Sequence, residues 1–369
     1  MTDIAIQDNV SDTEVPQAEK HFPARLTLYC VAHFLIDLAS TMIVLGYIWN
    51  VHQDRFAFAL FYAIAFAGQM PLGLLADKLN RNGLVATAGC VSMILATALM
   101  LLPGDPAFYA VVILGGLGNA LVHVGGGIDV INHSGPKSGP LGIFVSPGAI
   151  GLYLGGILVK SGIAIPYLSM ILLACTAAAL PLLQKHSLGS LLSRNEPLSL
   201  RLSLTGTKPW TAAAIAALFI VVTVRSYVGL SLSFEWKSQF IWGLTLLIAL
   251  VCGKAFGGVL SDRFGMRRIA IFSLSAAALF FLFPSVPAAG VLAVFLFNMT
   301  MPMTLWALSR IFDRAKGFAF GTLTLSLYIG FLLDAFVPRP LIPTGWGFTL
   351  ASLLSLALLC IGLKPLSRS

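Results

Sequence analysis

The chain has 369 residues, 57% of them hydrophobic and 10% charged, far below the roughly 25% charged residues of an ordinary soluble domain. A mean hydropathy of +0.89 with a net charge of +8 excludes a soluble enzyme, and the 23 Lys and Arg lie scattered in short loops, which argues against a nucleic-acid groove. Cys30, Cys90, Cys175, Cys252 and Cys360 each sit alone in an apolar run, which argues against a disulfide or zinc framework.

Residues 1–25 carry Asp3, Asp8, Asp12, Glu14 and Glu19 without an apolar core, and read as a polar cytoplasmic tail rather than a cleavable signal peptide. Twelve apolar segments follow, each near the roughly 20 residues a helix needs to cross hydrocarbon. The first, 26–49, places His33 and Asp37 one turn apart on one face. Asp37 lies about 16 Å into the helix, where an ionised carboxylate costs about 2.5 kcal/mol or more unless neutralised, hydrated or paired. Two readings stand: a proton-binding pair with His33 whose occupancy changes as a cavity opens to each side, or a neutral Asp bonded to a neighbouring helix.

Segments 55–76 and 83–102 come next, then 107–132, which holds His123 and Asp129 around Gly125, Gly126 and Gly127. Such a glycine run lets a ligand or a backbone approach closely. His123 is read either as a substrate-cavity residue or as part of the packing, and Asp129 as a residue of the inner interface. Segment 138–160 carries a small-residue stripe at Gly148, Gly151, Gly155 and Gly156, and 163–184 completes the first half. The polar stretch 185–208, broken by Pro197, is the linker between halves at 26–184 and 209–364, and 365–369 forms a second cytoplasmic tail.

In the second half, 209–234 holds Arg225, read as a cavity-facing guanidinium that contacts Asp37 or an anionic substrate group, or as an arginine snorkelling outward beside Glu235. Segment 237–260 holds Lys254, read as snorkelling to the inner headgroups. After 268–284, segment 287–310 places Asn298, Thr300 and Pro302 near midspan, where they meet a substrate or a neighbouring helix. Segment 316–336 brings Asp334 to the outer end as a gate or cap, and 344–363 is the last.

With the amino terminus inside, the inner segments hold 17 Lys and Arg and the outer ones 4, with Arg225 and Lys254 in helices completing the 23. Cationic loops resist translocation, so both termini are expected to be cytoplasmic. An internal repeat supports equal halves: GQMPLGLLADK at 68–78 and GKAFGGVLSDR at 253–263 share Gly, Gly, Leu, Asp and a base at the same spacing. No GxxxxGK[ST] phosphate loop occurs, and His33, His123 and His133 lack the spacing of an enzyme's convergent set. The chain is therefore not expected to be an enzyme, and no cofactor is expected beyond a proton gradient.

Gly258, Leu260, Asp262, Arg263, Gly265, Arg267 and Arg268 fit closely the GxLaDrxGrr loop pattern of the major facilitator superfamily, which the chain resembles from about residue 26. The first copy keeps Gly73, Leu75, Asp77, Lys78 and Arg81 but has Asn80 in place of the second glycine and Asn82 at a basic position. HFLID at 33–37, GLGNALVH at 116–123, Arg225 with Ser226, NMTMPMTL at 298–305 and GFAFG at 317–321 are similar to the fosmidomycin-resistance-like branch, although Val124 and the glycines after His123 depart from it. The glycine stripe of 138–160 resembles the family's antiporter motif without its proline.

The resemblance implies an all-α membrane protein, with twelve transmembrane helices in two six-helix bundles that rock around a midplane site. It implies gates at Gly73, Asp77, Arg81, Gly258, Asp262, Arg263 and Arg267. In each, the carboxylate would accept hydrogen bonds from a helix amino terminus of the other bundle, held by Arg81 or Arg267, and favour the outward-open state. The expected function is a proton-coupled secondary transporter of a small organic molecule, monomeric in the lipid of a bacterial-type inner membrane and tending to efflux. A uniporter or a transporter-like receptor is the alternative.

Overall fold

The computed structural model describes residues 22–162, 167–185, 209–337, 343 and 345–368. Residues 1–21 of the expected tail and 186–208 of the expected linker lie outside the described residues. The described chain forms twelve helical segments: α1 Phe22–His52, α2 Arg55–Leu79, α3 Asn82–Leu99, α4 Asp105–His133, α5 Gly139–Lys160, α6 Tyr167–Lys185, α7 Pro209–Ser231, α8 Phe240–Phe264, α9 Met266–Phe281, α10 Pro287–Ile311, α11 Lys316–Phe336 and α12 Trp346–Leu363. Among the described residues, ten helices are long and apolar enough to cross a membrane, while α6 and α9 offer shorter apolar stretches.

Local chemistry sets the ends. Asp54 caps α2 by accepting the Ala57 N–H at 2.9 Å. Prolines occupy the first turns of α4, α5 and α10, where no intrahelical donor is needed. α8 stops at Gly265 with φ 91°, and at the matching position α2 stops at Asn80 with φ 49°. Asparagine is among the few side chains that enter the left-handed region readily, and with ψ 36° Asn80 ends α2 there, whereas Gly265 with ψ 130° takes a conformation that only glycine enters freely.

Several boundaries differ from those read in the sequence. α1 begins at Phe22 rather than at 26, because the Arg25 head group is buried against Asp129 at 3.7 Å and does not end the helix. The last eleven residues of α1, Met42–His52, wind as a π-helix. α5 breaks at Ser146 before Pro147, and α10 at Met299 and Thr300 before Pro302, where proline removes a backbone donor.

The packing repeats with an offset of six helices. α1 packs on α4, α5 and α6, α3 on α4 and α6, and α2 on α4; correspondingly α7 packs on α10, α11 and α12, α9 on α10 and α12, and α8 on α10. The two sets meet through α2 with α11 and through α5 with α8. Both contacts use motif glycines. A Cβ on Gly73 would strike the Gly317 carbonyl, and one on Gly258 would come 2.5 Å from the Ser138 oxygen.

The apolar core shows where the sets are joined. At the end that carries Asp77 and Asp262, Tyr29, Ala76, Val85, Ile128, Leu141 and Phe144 merge into one cluster with Val221, Met303, Leu308 and Phe320 of the second set. At the opposite end, Ile36, Ile43, Phe61, Met93 and Val111 form a cluster of the first set alone. Large apolar side chains such as Phe272, Leu279, Leu350 and Leu354 are exposed on the outer faces, as lipid contact requires.

Candidate functional site

Asp37 is buried and gathers partners from two helices. On its own helix, the Nε2 of His33 is 3.3 Å from Asp37 Oδ2. From α4, the Nε2 of His123 lies 3.6 Å from Oδ1, and Asn119 donates to Oδ1 and to Ser40 Oγ, both at 3.0 Å. The imidazoles meet edge to face at 4.4 Å. His33 Nδ1 is 2.7 Å from the Phe144 carbonyl and His123 Nδ1 is 2.8 Å from the Asn119 carbonyl. A carbonyl oxygen only accepts, so the hydrogen bonds assign a proton to Nδ1 of each ring and aim both Nε2 atoms at the same carboxylate. α5 passes the cluster at Gly148, where a Cβ would strike both Asp37 Oδ2 and His33 Nε2.

The second set presents two cations toward this region, Arg225 buried and Lys254 half-buried. Both Nη atoms of Arg225 lie 3.4 Å from Thr304 Oγ1, a long approach for a hydrogen bond. Among the described residues no ion pair joins Arg225 to Asp37, so the direct contact considered from the sequence is not made. Lys254 Nζ donates to the Val145 carbonyl at 3.4 Å and lies within electrostatic reach of Arg225 and Asp37. It does not snorkel to the inner headgroups: α8 continues to Phe264, ten residues and about 15 Å beyond it. Asn298 donates to the Val294 carbonyl of its own helix at 2.8 Å, and the structure does not bring it into the Asp37 cluster.

Two carboxylates tie the sets together. Asp77 accepts the Gly317 and Phe318 N–H groups at 2.8 and 2.9 Å, at the start of α11. Asp262 accepts the Ser138 N–H and hydroxyl at 2.7 and 2.8 Å and the Gly139 N–H at 2.8 Å, at the start of α5. Each places its charge on the positive end of a helix in the other set. Arg81, Arg263 and Arg267 are exposed, and among the described residues none makes an ion pair with either aspartate. The aspartates are held instead by backbone donors, joined at Asp262 by the Ser138 hydroxyl. Arg263 stacks over Phe264 at 5.3 Å.

The same end is reinforced by the segment after α4, where Arg310 bonds to the Gly135 carbonyl and Trp306 Nε1 donates to the Pro136 carbonyl at 3.0 Å. Asp129, read from the sequence as an interface residue, is buried between Arg25 and His133. At the opposite end, Ser231 donates to Asp334 at 2.7 Å and links α7 to α11.

Asn119 is the residue that sequence reading missed: it stands in the GLGNALVH run, four residues before His123, and only the register of α4 against α1 shows that it holds Asp37. Thr304 is a second: it stands in the NMTMPMTL run, and only the packing of α10 against α7 brings it to Arg225.

Among solved structures, the chain is similar to FucP in its outward conformation, with a TM-score of 0.63 and 14% identity over 95% of this chain and 99% of that one. A further structure of FucP, the E. coli fucose:proton symporter, gives 0.61 and 14% over 91% and 98%. The human organic anion transporter MFSD10 gives 0.63 and 13% over 94% and 100%. A search of curated protein sequences found no match. The sequence profile of the Major Facilitator Superfamily matches residues 26–316, and the chain belongs to that family of membrane transporters.

Proposed function

We propose that the protein is a proton-coupled secondary transporter that moves a small organic molecule by alternating access, with twelve transmembrane helices in two six-helix bundles. The bundles are 26–184 and 209–364, joined by the linker 185–208. The carrying observation is the His33–Asp37–His123 cluster around the buried Asp37, with Asp77 and Asp262 tying the two sets together at one end. Loading Asp37 with a proton removes the charge that Asn119 stabilises and lets the carboxyl donate to a bare imidazole Nε2, and so couples proton occupancy to the packing of α1 against α4 and α5. Asp77 and Asp262 act as gates at the cytoplasmic end, and breaking their bonds to α11 and α5 opens the inward path.

Arg225 and Lys254 suit a substrate with an anionic group, since a buried and a half-buried cation that make no ion pair among the described residues call for one. The resemblance to the fosmidomycin-resistance-like branch favours export, placing the protein as a monomer in a bacterial-type inner membrane with cytoplasmic termini. A symporter and an organic anion transporter share the fold, and supply precedent for coupling to protons and for an anionic cargo.

The experiment is transport in proteoliposomes by wild type and Asp37→Asn. The variant is expected to retain substrate counterflow and to lose accumulation driven by a pH gradient. Full gradient-driven accumulation by Asp37→Asn would overturn the coupling role, and absence of counterflow in wild type would favour a transporter-like receptor.

A further inference from the structure

The cluster around Asp37 has a geometry that proton sharing alone does not explain. His33 and His123 each turn Nδ1 to a backbone carbonyl, at 2.7 and 2.8 Å. This is the outer-shell arrangement of metal-ligating histidines, in which the second nitrogen is anchored and Nε2 is left free to ligate. The two Nε2 atoms stand 3.3 and 3.6 Å from the carboxylate oxygens. Those separations are long for a charge-assisted hydrogen bond, which is about 2.7–2.9 Å. A tetrahedral ion with ligand atoms at about 2.0–2.2 Å sets them about 3.3–3.6 Å apart; His33 is at that spacing from Oδ2 and His123 from Oδ1, so a small turn of the carboxylate or of the His123 ring brings all three residues onto one ion.

The supporting features agree. The ligating atoms of the three residues all lie within 4.8 Å of one another. Asn119 holds Asp37 Oδ1 at 3.0 Å, fixing the carboxylate while Oδ2 remains toward His33. The space beside Oδ2 and His33 Nε2 is kept open by Gly148, whose Cβ would fill it.

We propose that His33, Asp37 and His123 form a binding site for a divalent transition-metal ion such as zinc, cobalt or nickel, with an open coordination position taken by an anionic group of the transported molecule. Two imidazoles and one carboxylate match the ligand preference of these ions, and three protein ligands leave a fourth position for an exogenous one. The metal with Asp37 leaves a net positive centre; Lys254 lies within electrostatic reach of Asp37 and Arg225 within reach of Lys254, so two more positive charges extend from it. An anion that bridges the ion and these cations balances the site. The inference rests on reading this cluster as the transporter's cation site, and protons and metal would compete for the same atoms.

The test is titration of the purified full-length protein in detergent with Co2+ alone, read by its visible absorption. One low-coordinate Co2+ per chain is expected, displaced by Zn2+. Single His33→Ala and His123→Ala variants should lose more than the roughly 10–100-fold that removal of a supporting partner costs, and Asn119→Ala should fall in that lower range. Gly148→Ala should abolish the signal by filling the space, while His52→Gln, remote from the cluster, should leave it unchanged. Acetate added to the cobalt protein should alter the spectrum of wild type at lower concentration than that of Arg225→Gln.

Absence of a low-coordinate spectrum in folded wild type, or affinity unchanged in His33→Ala and His123→Ala, overturns the metal site. Substrate-evoked proton flux without a cobalt signal refutes the metal inference and leaves the proton reading standing. A cobalt signal without proton flux supports the metal site and refutes proton coupling.

Discussion

A charged side chain at the centre of a bilayer costs about 2.5–3.5 kcal/mol, and Asp37 meets that cost with His33, His123 and Asn119. Asn119→Leu leaves Asp37 Oδ1 and Ser40 without their amide donor, and is expected to destabilise the protein by about 1–3 kcal/mol, read as a lowered Tm in detergent. Gly148→Ala forces a methyl group against Asp37 and His33 and is expected to cost about 1–3 kcal/mol through overpacking, with gradient-driven transport lost; wild-type transport by this variant would contradict the close approach.

Outside the spans, Asp54 has its carboxyl held below the ordinary 3.8, chiefly by the Ala57 N–H and also by the Tyr109 hydroxyl. A depressed folded value means that its contribution is present above 3.8 and lost as the pH falls through the lower folded value. Amide exchange at the start of α2 should therefore quicken on acidification in wild type, and Asp54→Asn, a neutral cap, should remove that dependence.

His33 and Asp37 were legible at this scale because their i, i+4 spacing puts them on one face of one helix. The approach of His123 was not, since it depends on how α4 rotates against α1. Lys254 was misread because its distance from the helix end follows from where α8 stops.

At the scale of elements, the duplicated loop motif was the strongest signal in the sequence, and its aspartates each sit on the amino terminus of a facing helix. What the sequence did not reveal is that Asp262 and Asp77 are held by donors at the starts of α5 and α11, and that among the described residues neither makes an ion pair with Arg81 or Arg267. The breaks at Ser146 and Thr300 were likewise hidden, although Pro147 and Pro302 mark them once the helices are placed.

Asp262 accepts three hydrogen bonds and Asp77 two. Asp262→Asn removes charge-assisted bonds worth about 1.5–3 kcal/mol, and is expected to shift the population toward the inward-open state by about tenfold or more. Asp77→Asn should act in the same direction and less strongly. Labelling of a cysteine introduced on α5 beyond the clamp, applied from the motif end, reads the shift; equal labelling of wild type and both variants would contradict the gate.

For the whole molecule, the sequence conveyed a helical membrane chain with a repeat, and the structure adds that the main packing contacts within the first set recur six helices later. Among the described residues, the largest core cluster joins the two sets at the motif end, where the motif glycines let α2 meet α11 and α5 meet α8. That asymmetry leaves the Asp37 cluster above a closed end, the arrangement a rocking carrier needs in one of its two states.

The most direct measurement is of internal pH in proteoliposomes containing purified protein while pooled organic anions are added outside. The account expects substrate-evoked proton flux in wild type that disappears in Asp37→Asn while counterflow persists. Equal proton flux in wild type and Asp37→Asn would contradict it.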